Sequence, residues 1–174
     1  MIKLRLFTLF LLLFSITGLH AQATEDQPRE EDPEILEVMN RLAEVGLQTG
    51  IKALQESGGL YPFAMVTKES GRISMVGYQG DPESAPDPEK WSQALFMRLR
   101  EMVKEDTEML SAVLIRLHEV EADDGRRIPG LWANVDHREG RAWVVFMPLV
   151  PNDEGRHVPG DLIYYATEQP IFEH

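Results

Sequence analysis

The amino-acid sequence predicts an α+β fold in the order helix, two strands, helix, three strands and an extended C-terminal tail. The expected sheet is five-stranded and mainly antiparallel, with the helices packed on one side of it. Two observations carry this. Apolar residues recur at three- and four-residue steps in two stretches, each opened by Asp-Pro-Glu, at Asp32-Pro33-Glu34 and Asp87-Pro88-Glu89. Elsewhere apolar residues alternate or run together in short segments bounded by glycine-bearing turns.

The first helix begins at Pro33, where proline suits the first turn, Asp32 can cap and Glu34 complements the helix dipole. Ile35, Met39, Leu42, Val45 or Gly46, Thr49 and Ala53 form its stripe, widened by Leu36, Ala43, Leu47, Gly50, Ile51 and Leu54. The pattern runs to about Gln55, and Gly58-Gly59 end it. Gly50 costs about 1 kcal/mol relative to alanine inside a helix, so it marks a close contact or a kink.

Leu60 to Thr67 and Arg72 to Tyr78 read as two strands of a hairpin turning at Lys68-Glu69-Ser70-Gly71. Pro62 has no N–H for a ladder, so it belongs at a strand start or on an edge. Gly80 to Glu89 reads as loop, and Trp91, Leu95, Leu99, Met102 and Val103 give the second helix an apolar face that stops near Asp106. Leu110 to Val120 alternates, with Val113, Ile115 and Leu117 on one face and Leu114, Arg116, His118 and Val120 on the other. The strand from Gly130 to His137 and the run from Ala142 to Pro148 follow, the last apolar on both faces and so expected at a covered, central position. After a Pro/Gly-rich break, Asp161 to Ala166 reads as a last edge strand or part of an extended tail.

The first 23 residues have another character. Lys3 and Arg5 precede an apolar run from Leu6 to Ile16, and Ala21-Gln22-Ala23 closes the segment with small residues. This is the three-part pattern of a secretory signal peptide. Cleavage after Ala23 places small side chains at both recognised positions, cleavage after Ala21 at one, and an uncleaved anchor is the alternative. The expected organisation is residues 1–23 as signal peptide, 24–32 as a flexible acidic leader, and 33–174 as one α+β domain. A periplasmic or secreted location follows.

The chain has no cysteine, so neither a lipid at the cleavage junction nor a disulfide is expected and stability must come from core packing. Loss of Lys3 and Arg5 takes the formal charge two units below −12. That excess argues against nucleic acid, whose binding depends on neutralising phosphates, and against an anionic membrane surface.

The helix–ββ–helix–βββ order resembles the roadblock and profilin-like layouts. The stretch Gly59 to Val66, the turn at Gly71 and Val76-Gly77-Tyr78 also resemble a group of small bacterial proteins with no assigned activity. The resemblance implies a five-stranded sheet carrying helices. Roadblock-like domains mostly act as protein-binding and dimerising platforms, and no catalytic residue is implied.

His118 and His137, with Glu119 and Asp136 beside them, are the candidates for metal or acid–base chemistry. Ends of adjacent antiparallel strands lie at opposite sheet edges, which works against a shared site, and no ligand motif such as HExxH is present. The acidic loop Glu121 to Gly125 lacks the EF-hand frame, and no G-x-S-x-G elbow surrounds a serine. No cofactor or metal is expected. Aromatic residues are more suggestive. Trp132 and Trp143 flank one hairpin, and with Leu131, Ala133 and Val135 inward, Trp132 shares the other face with Asn134 and Asp136. Tyr164, Tyr165 and Phe172 in the tail either cover the domain's own sheet or dock on a partner.

The sequence therefore favours an exported, non-catalytic module that binds another protein or forms a homodimer. The alternatives are an acidic immunity or inhibitor protein for a basic partner, and an enzyme or small-ligand binder with a pocket between sheet and helices.

Overall fold

The computed structural model describes residues 32–154 and 156–173. The signal-peptide pattern, its cleavage points at Ala21 and Ala23, and nearly all of the acidic leader lie outside the described residues. The elements are α1 (Pro33–Ser57), β1 (Phe63–Lys68), β2 (Ile73–Val76), α2 (Pro88–Glu105), β3 (Met109–Glu121), β4 (Arg127–His137), β5 (Trp143–Pro151), β6 (His157–Pro159) and β7 (Ile163–Ala166). They form an α+β fold with a seven-strand antiparallel sheet curled into a half-barrel. The strand order is β2-β1-β3-β4-β5-β6, with β7 also on β5.

Both helix starts follow their capping residues. Asp32 accepts from the Glu34 N–H at 2.9 Å, and Asp87 from the Glu89 and Lys90 N–H groups at 3.0 and 3.3 Å. A third Asp-Pro-Glu, at Asp81-Pro82-Glu83, has no apolar stripe behind it and yields a single 3-10 turn over Pro82–Ser84. A cap begins a helix, but burial extends it.

Seven strands replace the expected five. β5 continues through Pro148 to Pro151, then turns into β6, and β7 pairs along the rest of the same β5 edge. The Pro/Gly-rich break concealed β6, whose one proline, Pro159, sits in an edge strand, where a missing N–H costs no ladder bond.

The helices also lie on opposite faces, where the sequence suggested one. Connecting β2 to β3 carries α2 across β1, over Ala64, Val66, Ala112 and Leu114. Helix α1 covers the other face, against Met65, Val113, Ile115, Leu131, Ala133 and Val135. Its approach is close. A Cβ on Gly50 would stand 3.0 Å from Leu131 Cδ1, and one on Gly46 2.9 Å from Ile115 Cδ1, so these glycines mark contact with the sheet.

The tail packs on its own domain. Ile171 and Phe172 are 0% and 2% exposed among Leu95, Leu99 and Val103 of α2. The buried Asp136 carboxylate fixes them, accepting from the Ile171 N–H at 2.6 Å and the Phe172 N–H at 2.8 Å. Arg138 then donates to the carbonyls of Val103, Asp106 and Met109 and lies over the Phe172 ring. One cation thus closes the C-terminal end of α2, where free carbonyls concentrate negative charge.

Candidate functional site

Alternation along β3 sends Ala112, Leu114, Arg116 and His118 to the α2 face. Helix α2 and the tail cover the first two, leaving Arg116 and His118 only half-buried. The ladder places Trp132 opposite Arg116 and Gly130 opposite His118, and Phe146 of β5 beyond Trp132. Gly130 is required there. A Cβ would stand 2.3 Å from the Phe146 ring and 2.6 Å from the Met147 carbonyl oxygen.

Trp132 is the hub of this face. Its ring stacks on Tyr165 at 5.7 Å, meets the His118 imidazole edge-on at 4.7 Å and tilts against Phe146 at 6.2 Å. The Arg116 guanidinium lies 5.5 Å from the Trp132 ring centroid, within cation–π range. Arg116 Nη1 donates to His118 Nδ1 at 3.1 Å. An arginine cannot accept, so Nδ1 is the acceptor and neutral His118 keeps its proton on Nε2. Burial, and next the Arg116 charge, hold the His118 pKa below its ordinary value. Among the described residues Arg116 has no carboxylate ion pair, although Glu89 of α2 acts on it through space.

Arg116, His118 and Trp132 line a groove of about 1570 Å³. Helix α2 forms one wall through Glu89, Ser92, Gln93 and Phe96, and residues 167–170 of the tail form another. The α2 start is held by a ring cluster, in which Trp91 stacks on Tyr61 at 6.2 Å and meets Tyr78 edge-on at 5.4 Å. The Trp91 indole N–H donates to the Pro62 carbonyl and the Tyr61 hydroxyl to that of Pro86. Asn134 Nδ2 binds the Gln169 carbonyl at 3.2 Å, tying the tail wall to the groove floor.

Leu117, Glu119 and Glu121 line the same groove as Arg116 and His118, although their side chains lie on the opposite face. A cavity touching both faces of one strand runs along that strand's edge. Pairing of β3 with β1 ends at Ile115 opposite Phe63, whereas pairing with β4 continues to Glu121. Pro62, with no N–H to give, precedes β1 where the pairing ceases.

The sequence-derived candidates separate. His118 lies opposite Gly130 and His137 opposite Ser111, on the other face and about 23 Å away along the strand at roughly 3.3 Å per residue. His137 is 5% exposed and its Nδ1 accepts from the Glu139 N–H at 3.1 Å. No group of three potential metal-ligating residues occurs among the described residues. In the acidic loop, Asp124 binds the Arg126 side chain and backbone, which holds its carboxyl below the usual range.

Trp132 lines the groove and stacks on Tyr165, while Trp143 packs with the core on the α1 face. Tyr164, 58% exposed, lines a smaller gap of about 380 Å³ beside α1, with Leu162 and Met147. Phe172 belongs to the domain's own core. Arg116 was not singled out from sequence; its only signal was alternation beside His118. Family models, curated proteins and solved structures provide no match to this chain.

Proposed function

We propose that this chain is an exported, non-catalytic binding protein that holds an extended segment of a partner polypeptide in the α2-face groove. One observation carries the reading: a groove of about 1570 Å³ whose floor offers Trp132 beside an arginine that forms no carboxylate ion pair among the described residues. Small-molecule pockets run to about 300–1,000 Å³ and enclose their ligand. This space is larger and open along a strand edge, which suits a chain better than a metabolite. An aromatic and an arginine side by side are the residue types that anchor protein interfaces.

Export rests on the basic start, the apolar run and Ala21-Gln22-Ala23. The roadblock/profilin-like assignment is part of the same proposal and rests on the helix–ββ–helix–βββ order of the first seven elements.

Selection of short random peptides displayed against the immobilised protein tests the reading. Enriched peptides should lose binding to Trp132→Ala while the variant keeps its far-UV circular dichroism. Failure to enrich any peptide, or enriched peptides indifferent to every groove substitution, would overturn it.

A further inference from the structure

The groove borders a sheet edge that is open for one short stretch, and backbone geometry fixes which groups it presents. In an antiparallel ladder, successive residues turn their N–H and C=O to alternate sides. The Leu110 carbonyl accepts from the Arg138 N–H, and the Ala122 N–H donates to the Arg126 carbonyl, both at 2.8 Å. Even-numbered residues of β3 therefore bond to β4. Odd-numbered residues turn the other way, and Val113 and Ile115 meet β1 there. Past Ile115 the β1 ladder stops, so Leu117, Glu119 and Glu121 direct their N–H and C=O groups out of an edge that no described strand covers. Native proteins cover or blunt such edges, because an exposed row of donors and acceptors is a template for another strand.

Resting on the groove-binding reading, we propose that a partner polypeptide adds a strand to β3 at Leu117–Glu121, in line with β1, and sets a carboxylate against Arg116. Main-chain bonds to Leu117 and Glu119 supply the docking. Side chains on the α2 face of the added strand enter the groove. There the Arg116 guanidinium is half-buried, spends one N–H on His118 and forms no carboxylate ion pair among the described residues. An aspartate or glutamate completes it with a charge-assisted bond, and His118 Nε2–H offers a second donor. On the opposite face the strand meets exposed Leu117, Glu119 and Glu121, of which Glu119 already pairs with Arg127 at 3.6 Å. The partner segment therefore carries an acidic residue and, an odd number of positions away, a basic one facing Glu121.

A second copy of the chain fits this edge less well. Two-fold antiparallel pairing of one edge with itself must match residues of the same face. Centred on His118 it sets His118 against His118 and Leu117 against Glu119, and leaves Arg116 opposite valine. Centred on Glu119 it sets two glutamates together. Neither register supplies the missing carboxylate.

The test uses the full chain and one peptide enriched from the random library. Amide hydrogen exchange is expected to slow at Leu117 and Glu119 when this peptide binds. N-methylation at alternate peptide positions should abolish binding in one phase, where it blocks the β3-facing edge, and spare it in the other. Glu119→Pro removes an outward N–H without touching the β4 ladder and should eliminate binding; the methylation scan stands if that variant fails to fold. Arg116→Gln should weaken the peptide about tenfold or more, but leave unaffected a peptide whose acidic residue is replaced by its amide. Binding that needs Trp132 yet leaves the Leu117 and Glu119 amides unprotected, and tolerates methylation in both phases, would overturn strand addition and keep the groove reading. Absence of any groove-dependent peptide would sink both. A dimer formed through this edge, shown by light scattering with the same amides protected, would replace the partner strand with a second copy and overturn the proposal.

Discussion

Replacing Asp136 with asparagine tests how the groove wall is held, because the change keeps shape and removes only charge and one acceptor. Oδ2 accepts from the Ile171 and Phe172 N–H groups, while Oδ1 accepts from the His137 N–H at 2.8 Å. In either amide orientation an NH₂ group meets at least one of these donors. Bonds to a charged group contribute about 1.5–3 kcal/mol each, so losing one outright and the charge from the rest costs about 2–4 kcal/mol. Ordinary domain stability is about 5–15 kcal/mol, so Asp136→Asn should fold yet unfold at clearly lower urea. Amide exchange of Ile171 and Phe172 should accelerate before that of β3 and β4, since the tail is released first. A stability within about 0.5 kcal/mol of the parent would refute the reasoning, being the range of substitutions at uninvolved surface positions. Unchanged protection of the two tail amides would refute it equally.

Gly130→Ala places a methyl against the Phe146 ring and the Met147 carbonyl, and should destabilise by about 1–3 kcal/mol with altered near-UV dichroism. The His118 imidazole, followed by NMR, should titrate below the ordinary value of about 6.5, and Arg116→Gln should move its midpoint up. Because its folded pKa is lowered, His118 contributes stability in full above the unfolded pKa and loses it as pH falls through the folded one. His118→Gln should therefore flatten the pH dependence of urea unfolding in that window. Phe172→Ala should cost about 3–5 kcal/mol, as a fully packed aromatic ring does, and a surface-like effect would remove it from the core.

Periodicity alone placed both helices, because each has a long apolar stripe and a proline-led cap. Alternation likewise put Arg116 with His118, and Trp132 away from Leu131, since a strand's faces follow from parity. What parity does not give is register. Bringing Arg116 over the Trp132 ring depends on the hairpin between Glu121 and Arg127, and stacking on Tyr165 depends on β7 finding the β5 edge. β6 is not legible because a strand of three residues carries too little pattern beside prolines and glycines, whereas β7 is the edge strand that Asp161 to Ala166 offered as one of two readings. Phe172, which the sequence leaves as either covering the domain's own sheet or docking on a partner, lies in the core through a buried carboxylate 36 positions earlier, and no local pattern encodes that bond. The free β3 edge is also a difference between distant elements: β1 has 6 residues and β3 has 13, so the overhang exists only once they pair.

Two tryptophans report on opposite faces of the sheet, which makes one spectrum decisive. In a ¹H–¹⁵N correlation spectrum of the labelled protein, titrated with a library-selected peptide, the Trp132 indole signal should shift and the Trp143 indole signal should stay. Movement of Trp143 with a silent Trp132 would place binding on the α1 face beside Tyr164 and contradict the groove as the functional surface.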